Sequence, residues 1–281
     1  DKYDYKDMVY LNDSEMKEVT GSDTYFGGSY DEGEAHCHPL NYALGIARAA
    51  ISAGAKIFEN SAVLDYKVEN DFVKVQTQSG SIKADRVILA CNGYLGNLER
   101  RLTSKILPMN NYIVATKPLD EETVQKINPR DIAFADSRFV INYFRLSADK
   151  RLLFGGGENY SKNLSKNIVP IVTRPLEKIY PFLKGVKIDY AWGGKLAITI
   201  NRLPVFTMLH NEKVIAAQGY SGQGVALASY SGKIVSDKII GNGDTFDIMS
   251  KIPRKSFPGG RFLRNPSMKI GMLYYSLLDR I

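Results

Sequence analysis

Between two apolar stretches lies Gly219-Tyr220-Ser221-Gly222-Gln223-Gly224-Val225, and no other segment narrows the folds open to this chain so far. Val214-Ile215-Ala216-Ala217-Gln218 before it reads as a buried strand, and residues 225–240 after it read as a helix. A strand, a glycine-rich turn and a helix start bring free backbone N–H groups and a positive dipole end to one point. That point suits a group that is anionic, or that becomes anionic during a reaction. No glycine-rich turn opening a strand–helix–strand unit occurs near the N-terminus, and the first residue is Asp1. The loop is therefore expected to be one half of a cofactor site whose other half lies outside this chain.

The 281 residues suffice for one large or two ordinary domains. No apolar run approaches the ~20 residues that span a bilayer. Two cysteines, Cys37 and Cys91, do not make a disulfide framework, so the expected compartment is the cytoplasm. The net charge of +7 is scattered, with its densest stretch at Lys251, Arg254, Lys255, Arg261 and Arg264. No nucleic-acid recognition motif accompanies that tail, so no nucleic-acid partner is expected. His36-Cys37-His38 is the one cluster resembling a metal site. A site wants three or four ligands and the only other histidine is His210, so no metal is expected.

Residues 39–53 read as a helix, with Pro39 in the first turn, Leu40, Leu44, Ala47 and Ile51 on one face, and Gly54 as the stop. Residues 56–59 and 62–69 read as extended, and Asn70-Asp71 turns into an alternating strand over 72–77. Arg86-Val87-Ile88-Leu89-Ala90-Cys91 is a continuous apolar run of the kind found in a central strand covered on both faces. It ends at Asn92-Gly93, where backbone can approach a ligand closely. Antiparallel character follows over 113–116, 139–147 and 151–156, the last two joined at Asp149-Lys150, with a helix over 168–180. The fold class implied is α+β. An α/β-like layer (1–105 and 191–245) is interrupted by an antiparallel substrate or lid domain (106–190). A packing tail (246–281) follows, with a helix over 268–278.

Taken in order, residues 86–93, Trp192-Gly193-Gly194, Arg202-Leu203-Pro204 and the Gly219–Val225 loop resemble the FAD-dependent amine and amino-acid oxidases of the D-amino-acid oxidase superfamily. Within it the chain is most similar to bacterial gamma-glutamylputrescine oxidoreductases, from about Phe26 to the C-terminus and including Phe257-Pro258-Gly259-Gly260. The superfamily's N-terminal GxGxxG unit, which holds the FAD pyrophosphate, has no counterpart here. The resemblance implies an FAD cofactor contacted by Val63, Asn92, Gly93, Gly219, Tyr220, Ser221, Gly222, Gln223, Gly224 and Val225. Val63 matches the position whose backbone pairs with adenine, and the 219–225 loop lies against the flavin ring.

The implied reaction is hydride transfer from the carbon beside a neutral amine to flavin N5, followed by hydrolysis of the imine. Oxygen and a quinone are both open as electron acceptors. No side-chain acid or base is demanded, and no catalytic residue is assigned. Relatives that oxidise small amino acids carry an arginine a few residues after the Trp. Here the run is Trp192-Gly193-Gly194-Lys195-Leu196-Ala197-Ile198, which favours an amine or polyamine conjugate over a small amino acid, while Lys195 leaves open a point charge standing in for that arginine. Tyr143 and Arg145 alternate onto one strand face and, with Trp192, Lys195 and Tyr220, are the substrate candidates. Packing roles for Tyr143, Arg145 and Trp192 stay open, as does an inert core thiol at Cys91 and a plain turn-to-helix role for the loop. A D-amino-acid, glycine or sarcosine-type oxidase is the alternative activity. A non-catalytic subunit that needs an upstream FAD-binding segment is the alternative of another class, and the chain alone is expected to be inactive.

Overall fold

The computed structural model describes residues 5–138, 140–159, 163–260 and 266. They divide into two units, one from the described residues of 1–43 and 110–194, the other from those of 44–109 and 195–274. Helices combine with antiparallel and parallel strand pairs, giving the expected α+β class.

The first unit is built on a five-stranded sheet in the order Ile188–Ile198, Leu107–Pro118, Arg151–Asn159, Tyr143–Leu146, Phe134–Ala135. Its core face carries Tyr112, Val114, Phe144, Leu146, Leu152 and Phe154 against Val172, Leu176 and Ile179. Those last three recur at helical spacing along Val169–Ile179. Pro175 lies inside that helix at a cost of about 3 kcal/mol. Burying the three apolar side chains, at roughly 1.5–3 kcal/mol each, outweighs it. Phe144 and Phe154, directly paired across strands, stack at 5.4 Å with Tyr180 edge-on to Phe144 at 5.7 Å. The alternation expected for residues 139–147 is realised over Tyr143–Leu146, while Phe139 lies outside the described residues.

A hairpin of Met8–Asn12 and Gly27–Asp31 encloses the helix Asp13–Thr20, and none of the three was expected. Asn12 and Glu15 form a capping box, a signal present in the sequence. The helix ends at Gly21 (φ +62°), where an added Cβ would lie 1.9 Å from the Lys126 carbonyl oxygen. The Tyr180 hydroxyl donates to Thr20 O at 2.9 Å and Ser22 Oγ donates to Ile179 O at 2.7 Å. The N-terminal helix is thereby tied to the core.

The second unit holds a three-stranded sheet in the order Val205–Leu209, Val214–Gln218, Val87–Leu89. Val214–Gln218 is buried throughout and is the strand covered on both faces. Leu89, Leu95, Leu102 and Val205 join Val214 and Ala216 on one face, and Ile234, Val235 and Phe246 join Ile215 and Ala217 on the other. The helix Gly224–Ile239 supplies Ile234 and Val235. The run read as a central strand, Val87–Leu89, pairs in parallel with Val214–Gln218 but stands at the sheet edge among the described residues, with Ile88 48% exposed. A run apolar on both faces shows what a strand tolerates, not how many neighbours it has. A second sheet, Val63–Val68, Val73–Thr77 and Ser81–Ala84, is antiparallel, and residues 56–59 are not a strand.

The expected helix forms over Pro39–Ser52 but buries no residue, leaving Leu44 and Ile51 about half exposed. Residues 244–250 form a further helix, after which the Phe257 N–H donates to Ser104 O at 2.9 Å. The helix expected over 268–278 lies outside the described residues. Among the described residues no helix is long and apolar enough to cross a membrane.

Candidate cofactor site

Val87–Leu89 and Val214–Gln218 run parallel, so the turns that follow them leave from the same edge of the sheet. Carboxyl ends of parallel strands are where open α/β sheets take their ligands. The first turn is Asn92-Gly93-Tyr94 and the second is the Gly219–Val225 loop. Asn92, at φ +47°, accepts the Gly219 N–H on Oδ1 at 3.0 Å, locking the turns together.

A third segment, Lys195 to Thr199, closes the arrangement. The Ser221 N–H donates to Ala197 O at 3.0 Å, and Ser221 Oγ accepts the Thr199 N–H at 3.1 Å. A Cβ on Gly93 would lie 2.6 Å from Lys195 O and 2.9 Å from Leu196 O, so only glycine allows the turn this close. The Lys195 N–H donates to the Tyr94 hydroxyl oxygen at 3.2 Å, and the Lys195 ammonium lies 5.8 Å from the Tyr94 ring centre. Asn92, Gly93, Lys195, Gly219 and Ser221 are thus brought together. Tyr94, Ala197 and Thr199, which join them, were not anticipated.

Within the loop, Gly222 adopts φ +102° with nothing within 4 Å of where a Cβ would stand. Gln223 gives the helix no side-chain cap, so the first-turn N–H groups keep their donor capacity. Val225 at the helix start and Val63 at the start of its own strand are both exposed. Tyr220 is placed differently. It is buried, its hydroxyl donates to Ala217 O at 3.1 Å, and burial pushes its phenol pKa up. Gln218, fully buried at the strand end, has neither amide atom bonded within the described residues.

In the first unit Tyr143 and Arg145 share the sheet face opposite the Phe144–Phe154 core. The Tyr143 ring lies over Gly155, its direct cross-strand neighbour, and its hydroxyl donates to Asn111 Oδ1. Arg145 donates to Cys37 O at 2.8 Å and to Leu146 O at 3.0 Å, which anchors the loop containing His36 and Cys37. Trp192 is 44% exposed and so is not a core residue. His36 bonds the Asp131 carbonyl, His38 accepts the Asn41 N–H, and His210 lies against Glu99. Among the described residues no three His, Cys, Asp or Glu side chains gather as a metal site would require. Cys91 is half-buried, and burial raises its thiol pKa.

The family model described as FAD dependent oxidoreductase (DAO) matches residues 2–238. The chain belongs to that family. It is 36% identical to the Gamma-glutamylputrescine oxidoreductase of Escherichia coli K12, over 100% of this chain and 66% of that protein. It is also 36% identical to Probable oxidoreductase OrdL of Haemophilus influenzae, over 99% of this chain and 64% of that protein. Glycine oxidase from Geobacillus kaustophilus shares the fold, with a TM-score of 0.73 at 21% identity over 88% of this chain and 67% of that one. The chain thus spans about two thirds of the length of the first two of these relatives, 66% of the first and 64% of the second.

The residues present fit an FAD in three ways. Gly222 leaves open space where any other residue would project, Gly224 presents bare backbone at an uncapped helix start, and Val63 and Val225 offer exposed apolar surface.

Proposed function

We propose that this chain forms the flavin-ring side of an FAD site in an enzyme that oxidises an amine of the gamma-glutamylputrescine type. The observation that carries the reading is the tethering of the Gly219–Val225 loop to Asn92 and to the Lys195–Thr199 segment. That tethering fixes an uncapped helix start at the carboxyl ends of two parallel strands. FAD, when bound, would accept the hydride from the carbon beside the amine. The chain's own task would be to hold backbone N–H groups ready for charge that appears on reduction, so that no reorganisation is needed at that moment. Asn92, Gly93, Gly219, Ser221, Gly222, Gly224 and Val225 would hold the ring portion and Val63 the adenine end. Gln223 would contribute backbone, and the buried Tyr220 would brace the loop from beneath. The pyrophosphate would be held by the part of the relatives' length that this chain does not span.

The amine class is supported by the 36% identity along the whole chain and by the residues after Trp192, where Lys195 is the first cation and no arginine appears before Arg202. A point charge binds a carboxylate with less directional demand than a bidentate guanidinium. Tyr143, Arg145 and Trp192, on two strands of the five-stranded sheet, are the substrate candidates of the first unit, and Asn111 joins them through its bond to Tyr143. The test is FAD binding by the full-length protein, then turnover of gamma-glutamylputrescine, sarcosine and D-alanine. Preference for gamma-glutamylputrescine is expected. Preference for D-alanine would overturn the substrate class and leave the cofactor intact, and a flavin-free protein would overturn the cofactor.

A further inference from the structure

Tyr94 is 64% exposed, an unusual position for a tyrosine that makes two specific contacts. It stands directly after Gly93, the residue that lets the turn touch the Lys195 and Leu196 carbonyls. Its hydroxyl oxygen takes the Lys195 N–H at 3.2 Å, and its ring lies 5.8 Å from the same residue's ammonium. One side chain therefore grips Lys195 at both ends, fixing the backbone where the side chain leaves it and guiding the charged tip. Lys195 is half-buried, and among the described residues no carboxylate forms an ion pair with it. A lysine tip is ordinarily a flexible point charge with several rotatable bonds, and an aromatic face restricts it at little cost in solvation.

We propose that Tyr94 is a positioning residue that holds the Lys195 ammonium as the receptor for a carboxylate carried by the amine substrate, remote from the reacting carbon. The inference rests on the amine-oxidation reading above and narrows it to amines that carry a carboxylate. A carboxylate next to the reacting carbon would call for a fixed bidentate partner. A carboxylate further along a flexible chain is satisfied by a single guided cation. The exposed ring, the backbone bond and an ammonium with no carboxylate partner among the described residues then have one common purpose.

Two measurements test it. The first needs no cofactor. In this chain with its lysines carrying ¹³C-methyl labels, the Lys195 signal, assigned by its loss in Lys195→Met, should be shifted by the Tyr94 ring. That shift should disappear in Tyr94→Leu and persist in Tyr94→Phe. A Lys195 signal unchanged in Tyr94→Leu overturns the positioning role, whether or not FAD binds.

The second uses the FAD-replete full-length enzyme with gamma-glutamylputrescine and with N-(4-aminobutanoyl)putrescine, which keeps the amino group and lacks only the carboxylate. Lys195→Met should raise KM for the first amine by about tenfold, with kcat little changed, and leave KM for the second within about twofold. Tyr94→Leu should move the same ratio in the same direction, and Tyr94→Phe should retain most of the discrimination. Equal losses for both amines would overturn the carboxylate assignment. A wild-type protein that binds FAD but turns over neither amine would overturn the amine-oxidation reading and the carboxylate assignment with it, while the labelled-lysine result would still decide the positioning role.

Discussion

Gly93→Ala is the most informative single perturbation of the site. Gly93 is not in a left-handed conformation, so the cost of a side chain there is steric. Its Cβ would meet the backbone of the Lys195–Leu196 segment: Lys195 O at 2.6 Å, Leu196 O at 2.9 Å and Lys195 C at 2.9 Å. Ordinary contact lies near 3.5 Å, so the turn and the Lys195–Leu196 segment would have to part by roughly 0.5–1 Å. Backbone yields less readily than a side-chain tip, and overpacking of this kind costs about 1–3 kcal/mol. Parting also lengthens the 3.2 Å bond from the Lys195 N–H to Tyr94, a further loss of about 0.5–1.5 kcal/mol. The expected total is about 1.5–4.5 kcal/mol, or a fall in Tm of roughly 5–15 °C for a unit of this size. Thermal and urea denaturation followed by circular dichroism would measure it, with an unchanged m-value confirming a like-for-like transition. A variant within about 0.5 kcal/mol of wild type would refute the close approach, and with it the geometry that joins the three segments.

Other positions separate the remaining causes. Gly222→Ala meets no neighbour but must hold φ +102°, so a loss of about 1–2 kcal/mol from backbone strain alone is expected, read by the same denaturation. Gln218→Met should stabilise the chain by about 1 kcal/mol if the buried amide is unbonded, and a comparable loss in urea titrations would show that it has a partner. Glu99 gives a pH signature. Burial pushes its carboxyl pKa up, but bonds from the Tyr66 hydroxyl (2.6 Å), the Arg101 N–H (2.9 Å) and His210, with the Arg101 charge, bring it below the ordinary glutamate range. A lowered folded pKa means that this stability is complete above the unfolded value of about 4.3 and is lost as pH falls below it towards the folded value. Glu99→Gln should therefore cost about 1.5–3 kcal/mol near neutrality and flatten the acid limb of a stability–pH profile, whereas an unchanged acid limb would contradict the assignment.

Much of this was legible because it is local. The strand Val214–Gln218, its glycine loop and the helix Gly224–Ile239 are adjacent in sequence, and each declares itself by run length, turn residues and periodicity. The hairpin at Asp149-Lys150 is legible for the same reason, with Lys150 taking the positive φ such a turn needs. What escaped is set by distant partners. Lys195 and Tyr94 meet across 101 positions, and neither residue type signals the other. The apolar run over 86–91 was legible as a strand, but its place at the sheet edge depends on what pairs with it. The Pro39–Ser52 helix likewise advertised an apolar face without saying whether that face is buried. The hairpin strand Gly27–Asp31 carries two glycines and no β-branched residue, so it gave little strand signal. The capping box at Asn12 and Glu15 is the one local signal for the helix that this hairpin encloses.

The central claim, that the Gly219–Val225 loop receives the flavin ring, is tested most directly at Gly224. An alanine Cβ there would make only ordinary contact with Tyr220, at 3.7 Å and 3.8 Å, so the substitution has no steric cost within the chain. It also replaces glycine at the first position of a helix, which is neutral or slightly stabilising. The decisive measurement is FAD affinity of the full-length wild-type protein and of Gly224→Ala, by flavin fluorescence titration beside their melting temperatures. The account predicts unchanged or higher Tm with FAD affinity reduced by about tenfold or more, because the cofactor occupies the space the new methyl enters. Equal FAD affinity in the two proteins would contradict it.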